Sequence, residues 1–415
     1  MDAITFPSHW TQTHLGSLGD IYGGSTPSTI EPDYWGGDIA WVTPSEATKC
    51  SGLFISETRQ YITQKGLKNC AARLLPIGSV LITSRATIGK TIINTVPMAT
   101  NQGFINVVCH DGTVFNEFVA YWIELNKSIL EGRAYGVTFK EIIKSNFKTI
   151  PIALPPLPEQ RAIAGVLRAV QEAGASRRAE AGLERERKAA LMAHLFTHGT
   201  RGEAPQQTAL GPLPASWPVV RLGDYCYKPG YGYTESATIE PIGPKFLRIT
   251  DITEDGVNWR STPYCACDSE TRKKYLLKAG DLVVARIGAT TGKAYLLGEC
   301  PEAVFASYLI RIRPKPQLSS LFLSFYFQSN AYWLQIDQNK GGKLKGGVNI
   351  PILQSLVLPL PSLPEQEEIA AVLRTCDRKI AALVQEAAAL DELFRALLAD
   401  LMSGRRSARP LLDPR

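Results

Sequence analysis

Long apolar runs are missing from this chain. No stretch of about 18 or more apolar residues occurs among its 415 residues, so no membrane-spanning helix is expected. The opening segment MDAITFPSHW has neither a basic n-region nor an apolar core, so no secretory signal is expected and the cytoplasm is the expected compartment. Histidine is scarce, at 5 residues, and the 8 cysteines (50, 70, 109, 226, 265, 267, 300 and 376) lack framework spacing. Only Cys265 and Cys267 are close, and C-x-C without a second pair is poor zinc spacing. Reduced, mostly buried thiols are the expectation.

Catalytic motifs are missing as well. GATTGKA (Gly288 to Ala294) and RATIGKT (Arg85 to Thr91) suggest phosphate loops, but the first has one residue too few between its glycines and ends in alanine. The second has Ser84 where the leading glycine belongs. No Asn/Asp-Pro-Pro-aromatic segment is present to hold a target amine, and the nearest Gly-rich candidate, GYG at 230–232, has no supporting context. Pro32-Asp33 has no Glu-x-Lys nearby, which argues against a metal-dependent nuclease. His194 and His198 stand one helical turn apart without a third ligand and read as a helix end. Neither catalysis, nor a metal, nor a cofactor of its own is expected in this chain.

What is present is a repeat. LPPLPEQRAIAGVL (154–167) returns as LPSLPEQEEIAAVL (360–373), offset by 206 residues. FPSHW at Phe6 matches LPASW at Leu213, and LGD at Leu18 matches LGD at Leu222. LPIGSVLITSRATIGKT, from Leu75, lies over LKAGDLVVARIGATTGKA, from Leu277. ATNQGFINVV lies over VFASYLIRI, and FVAYWIEL over FLSFYFQS. Matches repeated in one order mean duplication. Each copy opens with short β-branched runs punctuated by Gly, Pro and Asn, the texture of a β-rich α+β domain. A Pro-rich lead-in and a helix of roughly forty residues close it. The expected boundaries are a first domain over 1–153, a central helix over 154–199, a linker over 200–212, a second domain over 213–359 and a distal helix over 360–404.

In the distal helix Ile369, Leu373, Cys376, Ile380, Leu383, Ala387, Leu390, Phe394, Leu397 and Leu401 follow in steps of four and three, a heptad seam that requires a partner. The central helix keeps the seam at its ends (Ile163, Leu167, Leu191, Leu195) and loses it in the middle, at Gly174, Arg177, Glu184 and Lys188. A larger bundle or a homodimer zipper would serve, but two matched helices in one chain favour pairing with each other. The apolar middle of the distal seam, including Phe394 and Leu390, is left to face either the central helix or a partner subunit.

The basic balance, net charge +6 and pI near 8.8, permits a polyanionic partner. Each domain places cations on a Gly-rich turn after its central strand: Arg85 and Lys90 in the first, Arg286 and Lys293 in the second. A second Gly-rich loop carries Arg133, Tyr135, Thr138 and Lys140 in the first copy and Lys340, Lys343 and Lys345 in the second. Solvated hairpin charges are the plain explanation; as paired sets these loops are candidates for nucleic-acid contact. The alternative is an adaptor whose doubled domains bind protein or glycan.

The doubled Pro-x-x-Trp, Leu-Gly-Asp and Leu-Pro-x-Leu-Pro-Glu-Gln pattern resembles the DNA specificity subunit of type I restriction–modification systems over nearly the whole chain. The resemblance implies two target recognition domains separated by an antiparallel two-helix coiled-coil spacer, with an internal pseudo-twofold axis. It also implies a non-catalytic chain that binds double-stranded DNA at an asymmetric bipartite target. The partners so implied are two methyltransferase subunits, each flipping out an adenine, and restriction subunits in the full complex. S-adenosylmethionine, ATP and Mg2+ would belong to those partners.

Overall fold

The computed structural model describes residues 6–136, 140–253, 256–339 and 347–411. The chain divides into two compact units: Met1–Ser176 with Glu386–Arg415, and Arg177–Gln385. Both are mixed α and β, and each contains parts of both long helices.

In the first unit a five-stranded sheet runs Gly19–Gly23, Phe104–Cys109, Val80–Thr83, Thr91–Asn94, Phe54–Ile55, antiparallel except for the last pair. Every residue of Val80–Thr83 and Thr91–Asn94 is buried. That is why VLIT and TIIN do not alternate apolar with exposed polar residues. A three-stranded sheet joins Gln60–Ile62, Trp35–Val42 and Met98–Thr100, with the last pair parallel. Thr11–His14 pairs with Pro151–Leu154 beneath them. The second unit repeats this order. Gly230–Tyr231, Leu309–Ile312, Leu282–Ala285 and Ala294–Leu296 form its main sheet. Lys245–Leu247 lies parallel to Ala303–Phe305, and Val219–Arg221 pairs with Val357–Pro359. The polar stretch read as a linker carries a hairpin of its own, Pro205–Thr208 against Gly211–Pro214.

The central helix spans Leu157–His198 and the distal helix Leu363–Met402, 42 and 40 residues, each about 60 Å long. Proline is tolerated in a first turn because its missing N–H would be unpaired there anyway. The Glu-Gln that follows is a clamp. Gln160, fully buried, accepts the Phe115 amide at 2.8 Å and donates to the carbonyls of Thr113 and Pro155. Gln366 repeats it, accepting Ser319 N–H and donating to Gln317 and Pro361. The motif occurs twice because each helix must be bolted to its own β-rich domain.

In each unit the helices run antiparallel. In the second unit Glu365 meets Thr200, Asp377 meets Lys188, and Lys379 meets Glu184, so positions rise on one helix as they fall on the other. The seam is occupied as its spacing predicts. Ile369, Leu373 and Leu195 join the second unit's core, Leu383 is buried, and Leu191 and Ile380 are half-buried. Ile163, Leu167, Leu397 and Leu401 join the first unit's core, with Leu390 half-buried.

The polar middle of the central helix is satisfied within the chain. Glu184, 5% exposed, is bonded by Lys379 at 3.0 Å and by Arg187. Lys188 pairs with Asp377 at 2.6 Å and lies over the Phe325 ring. In the first unit Phe394 takes the place of Lys188 and packs edge-on against Tyr121, the counterpart of Phe325. Phe394 is thus half-buried against its own unit.

The helix ends close against the Pro-x-x-Trp segments. A Cβ at Gly199 (φ +64°) would press on the Glu365 carboxylate, and Gly404 (φ +70°) leaves no room for one beside the Pro7 ring. Both positions therefore favour glycine for backbone conformation, and Gly404 for close approach as well. Among the described residues no helix is long and apolar enough to cross a membrane.

Candidate nucleic-acid interface

In each unit the turn after the central strand is bonded by the same backbone wiring to a residue distant in sequence. In the first, the strand Val80–Thr83 turns through residues 84–90 into Thr91–Asn94. Thr83 donates to Lys90 O, Gly89 to Thr83 O, and Ser84 to Gly103 O, at 2.8 to 2.9 Å. Ile142, at the end of the second Gly-rich loop, donates to Ser84 O at 2.9 Å. In the second unit Ala285, Gly292, Arg286 and Val348 donate to Lys293, Ala285, Tyr308 and Arg286 carbonyls at 2.8 to 2.9 Å. In each domain the turn after the central strand is therefore bonded to a residue that follows the second Gly-rich segment, Ile142 in the first and Val348 in the second.

The first unit distributes its cations unevenly. Arg85 is half-buried with Nη2 at 3.5 Å from Asn101 Oδ1. Lys90 is half-buried, and its ammonium donates to the Cys50 carbonyl at 3.2 Å. Arg133 is exposed and donates to Thr149 Oγ1 at 3.1 Å. Tyr135 is 66% exposed, while its backbone exchanges both hydrogen bonds with Glu141. Lys140 is exposed; Thr138 lies outside the described residues.

The second unit presents more. Lys293 is exposed, and Arg286 is half-buried with its guanidinium 4.8 Å from the centre of the Tyr231 ring. Tyr308, 55% exposed, supplies the carbonyl that Arg286 N–H meets. Lys340, Lys343 and Lys345 lie outside the described residues, but Gly347 and Val348, which follow them, abut the Arg286 backbone. Sequence reasoning missed Tyr231 and Tyr308. Tyr231 sits in the GYG set aside as a cofactor loop, and only sheet pairing brings it to Arg286. Among the described residues no group of three or more His, Cys, Asp and Glu is placed to hold a metal ion.

Comparison with known proteins agrees with this doubled arrangement. The family model described as the type I restriction modification DNA specificity domain matches residues 7–180 and again 214–391. The MjaIX type I restriction enzyme specificity subunit of Methanocaldococcus jannaschii is 39% identical over 168 residues, covering 40% of this chain and 39% of that one. The match thus spans about two fifths of that relative's length. The EcoKI specificity subunit of Escherichia coli K12 is 23% identical over 373 residues, covering 80% of this chain and 78% of that one. Among solved structures, the S subunit of a type I restriction-modification system from M. genitalium superposes with TM-score 0.61 at 14% identity, covering 97% of both chains. At that identity the likeness speaks for the fold. Two matches in tandem, together spanning well over half of the residues, place the chain in the type I restriction modification DNA specificity family.

Proposed function

We propose that this chain is the sequence-reading subunit of a type I restriction–modification complex. Each β-rich domain reads one half of an asymmetric, bipartite double-stranded DNA target. The paired helices set the unread spacer and dock two methyltransferase subunits. Adenine methylation and ATP-dependent cleavage then belong to partner subunits, along with S-adenosylmethionine, ATP and Mg2+. The observation that carries this reading is the repeated backbone wiring of the Gly-rich turn, to Ile142 in one domain and Val348 in the other, in two domains whose side chains differ. Equal wiring supports equal roles, and unequal residues (Ser84 against Arg286, Gly103 against Tyr308) support unequal half-sites.

Methylation sequencing of host DNA with and without the gene tests it. A split motif bearing methyladenine should be present with the gene and vanish without it. An unchanged methylation pattern would reject the reading in favour of an adaptor that binds something other than DNA.

A further inference from the structure

Within the second unit, Arg286 begins the turn after Leu282–Ala285, and its guanidinium lies over the Tyr231 ring at 4.8 Å. No hydrogen bond or ion pair occupies its side chain among the described residues. Tyr231 is itself held in place: its backbone pairs with Ile310 across the sheet, and its hydroxyl accepts the Ile350 amide at 3.3 Å. Its exposed neighbours in the turn, Ile287 to Thr290 and Lys293, and Tyr308 beside it include no acidic residue.

A guanidinium held over a ring is restricted in advance, so less entropy is lost when its two parallel N–H groups engage a ligand. A phosphate gains little from this, because lysine or a freely rotating arginine satisfies it. The ligand that does gain is a planar edge with two adjacent acceptors, and the major-groove edge of guanine, O6 with N7, is such an edge. In the first unit the wiring places Ser84 where Arg286 stands, and the guanidinium of Arg85 lies near Asn101 instead.

We propose that Arg286, held over the Tyr231 ring, reads one guanine in the half-site bound by the second unit, with Tyr231 acting as its positioning residue. This rests on the DNA-recognition reading above.

The test is selection from a randomised duplex library by the full chain assembled with its modification subunits, with methylation sequencing of the same variants. Arg286→Ala and Arg286→Lys should both relax a single G·C position, losing about 5- to 150-fold of discrimination there. The other half-site should remain intact, which also reports that the complex has folded. Tyr231→Phe should keep the preference and Tyr231→Ala should weaken it. An unchanged motif with uniformly weaker binding would make Arg286 a phosphate contact, and no change at all would make the pair surface packing; either overturns the proposal. A wild-type complex that selects no split motif overturns the functional reading itself.

Discussion

Trp217 donates its indole N–H to Glu365 Oε2 at 3.0 Å, while Thr200 donates its backbone N–H to the other oxygen at 3.1 Å. One buried carboxylate thus fastens the start of the distal helix to both the Pro-x-x-Trp segment and the end of the central helix. In the first unit the matching Glu159 takes His9 instead, at 2.8 Å, and the buried Trp10 indole N–H has no acceptor among the described residues. Glu365→Ala leaves two donors unsatisfied and should cost about 2 to 4 kcal/mol, read by chemical denaturation. Glu365→Gln retains an acceptor and should cost less. Equal losses would argue against this joint.

The glutamine clamps make a local prediction. Gln160→Ala should expose the Phe115 amide to hydrogen exchange while Ser319 remains protected, and Gln366→Ala should do the reverse. Protection lost at both amides in either variant would mean that the clamps do not act separately.

Two carboxylates should give opposite pH dependence. Hydrogen bonds from Arg187 and then Lys379 hold Glu184 below its ordinary value of 4.5. Its stabilisation is therefore present above that value and lost as pH falls through the depressed one. Burial raises Glu117 above 4.5, with Arg168 opposing. Its contribution is full below 4.5 and lost as pH rises through the raised value. Glu184→Gln should therefore be most destabilising at neutral pH and converge with wild type in acid. The comparison should move in favour of Glu117→Gln as pH climbs past 4.5. Stability measured across that range checks both signs.

Much of this was legible in the sequence. The repeat, the helix lengths and the heptad seam follow from spacing, because duplication and helical periodicity are local signals. Strands 80–83 and 282–285 were readable for the same reason. What stayed hidden depends on distant partners. Glu184 and Lys188 looked like breaks in the seam because Lys379, Asp377 and Phe325 cannot be assigned to them by spacing. Lys90 looked like a free cation because its acceptor, the Cys50 carbonyl, lies 40 residues away.

That last contrast separates fold from binding. Lys293→Ala should lower the salt dependence of DNA affinity by about one charge's worth. Lys90→Ala should leave that slope unchanged and lower stability instead. A slope that moves with Lys90 would return it to the binding surface.

The division of labour between the two domains is tested most directly by exchange. Residues 213–359 are replaced with the matching segment of a family member of different specificity, and the motif methylated by the assembled complex is sequenced. One half of the split motif should change and the other should persist. A motif altered in both halves, or in neither, would contradict independent reading by the two domains.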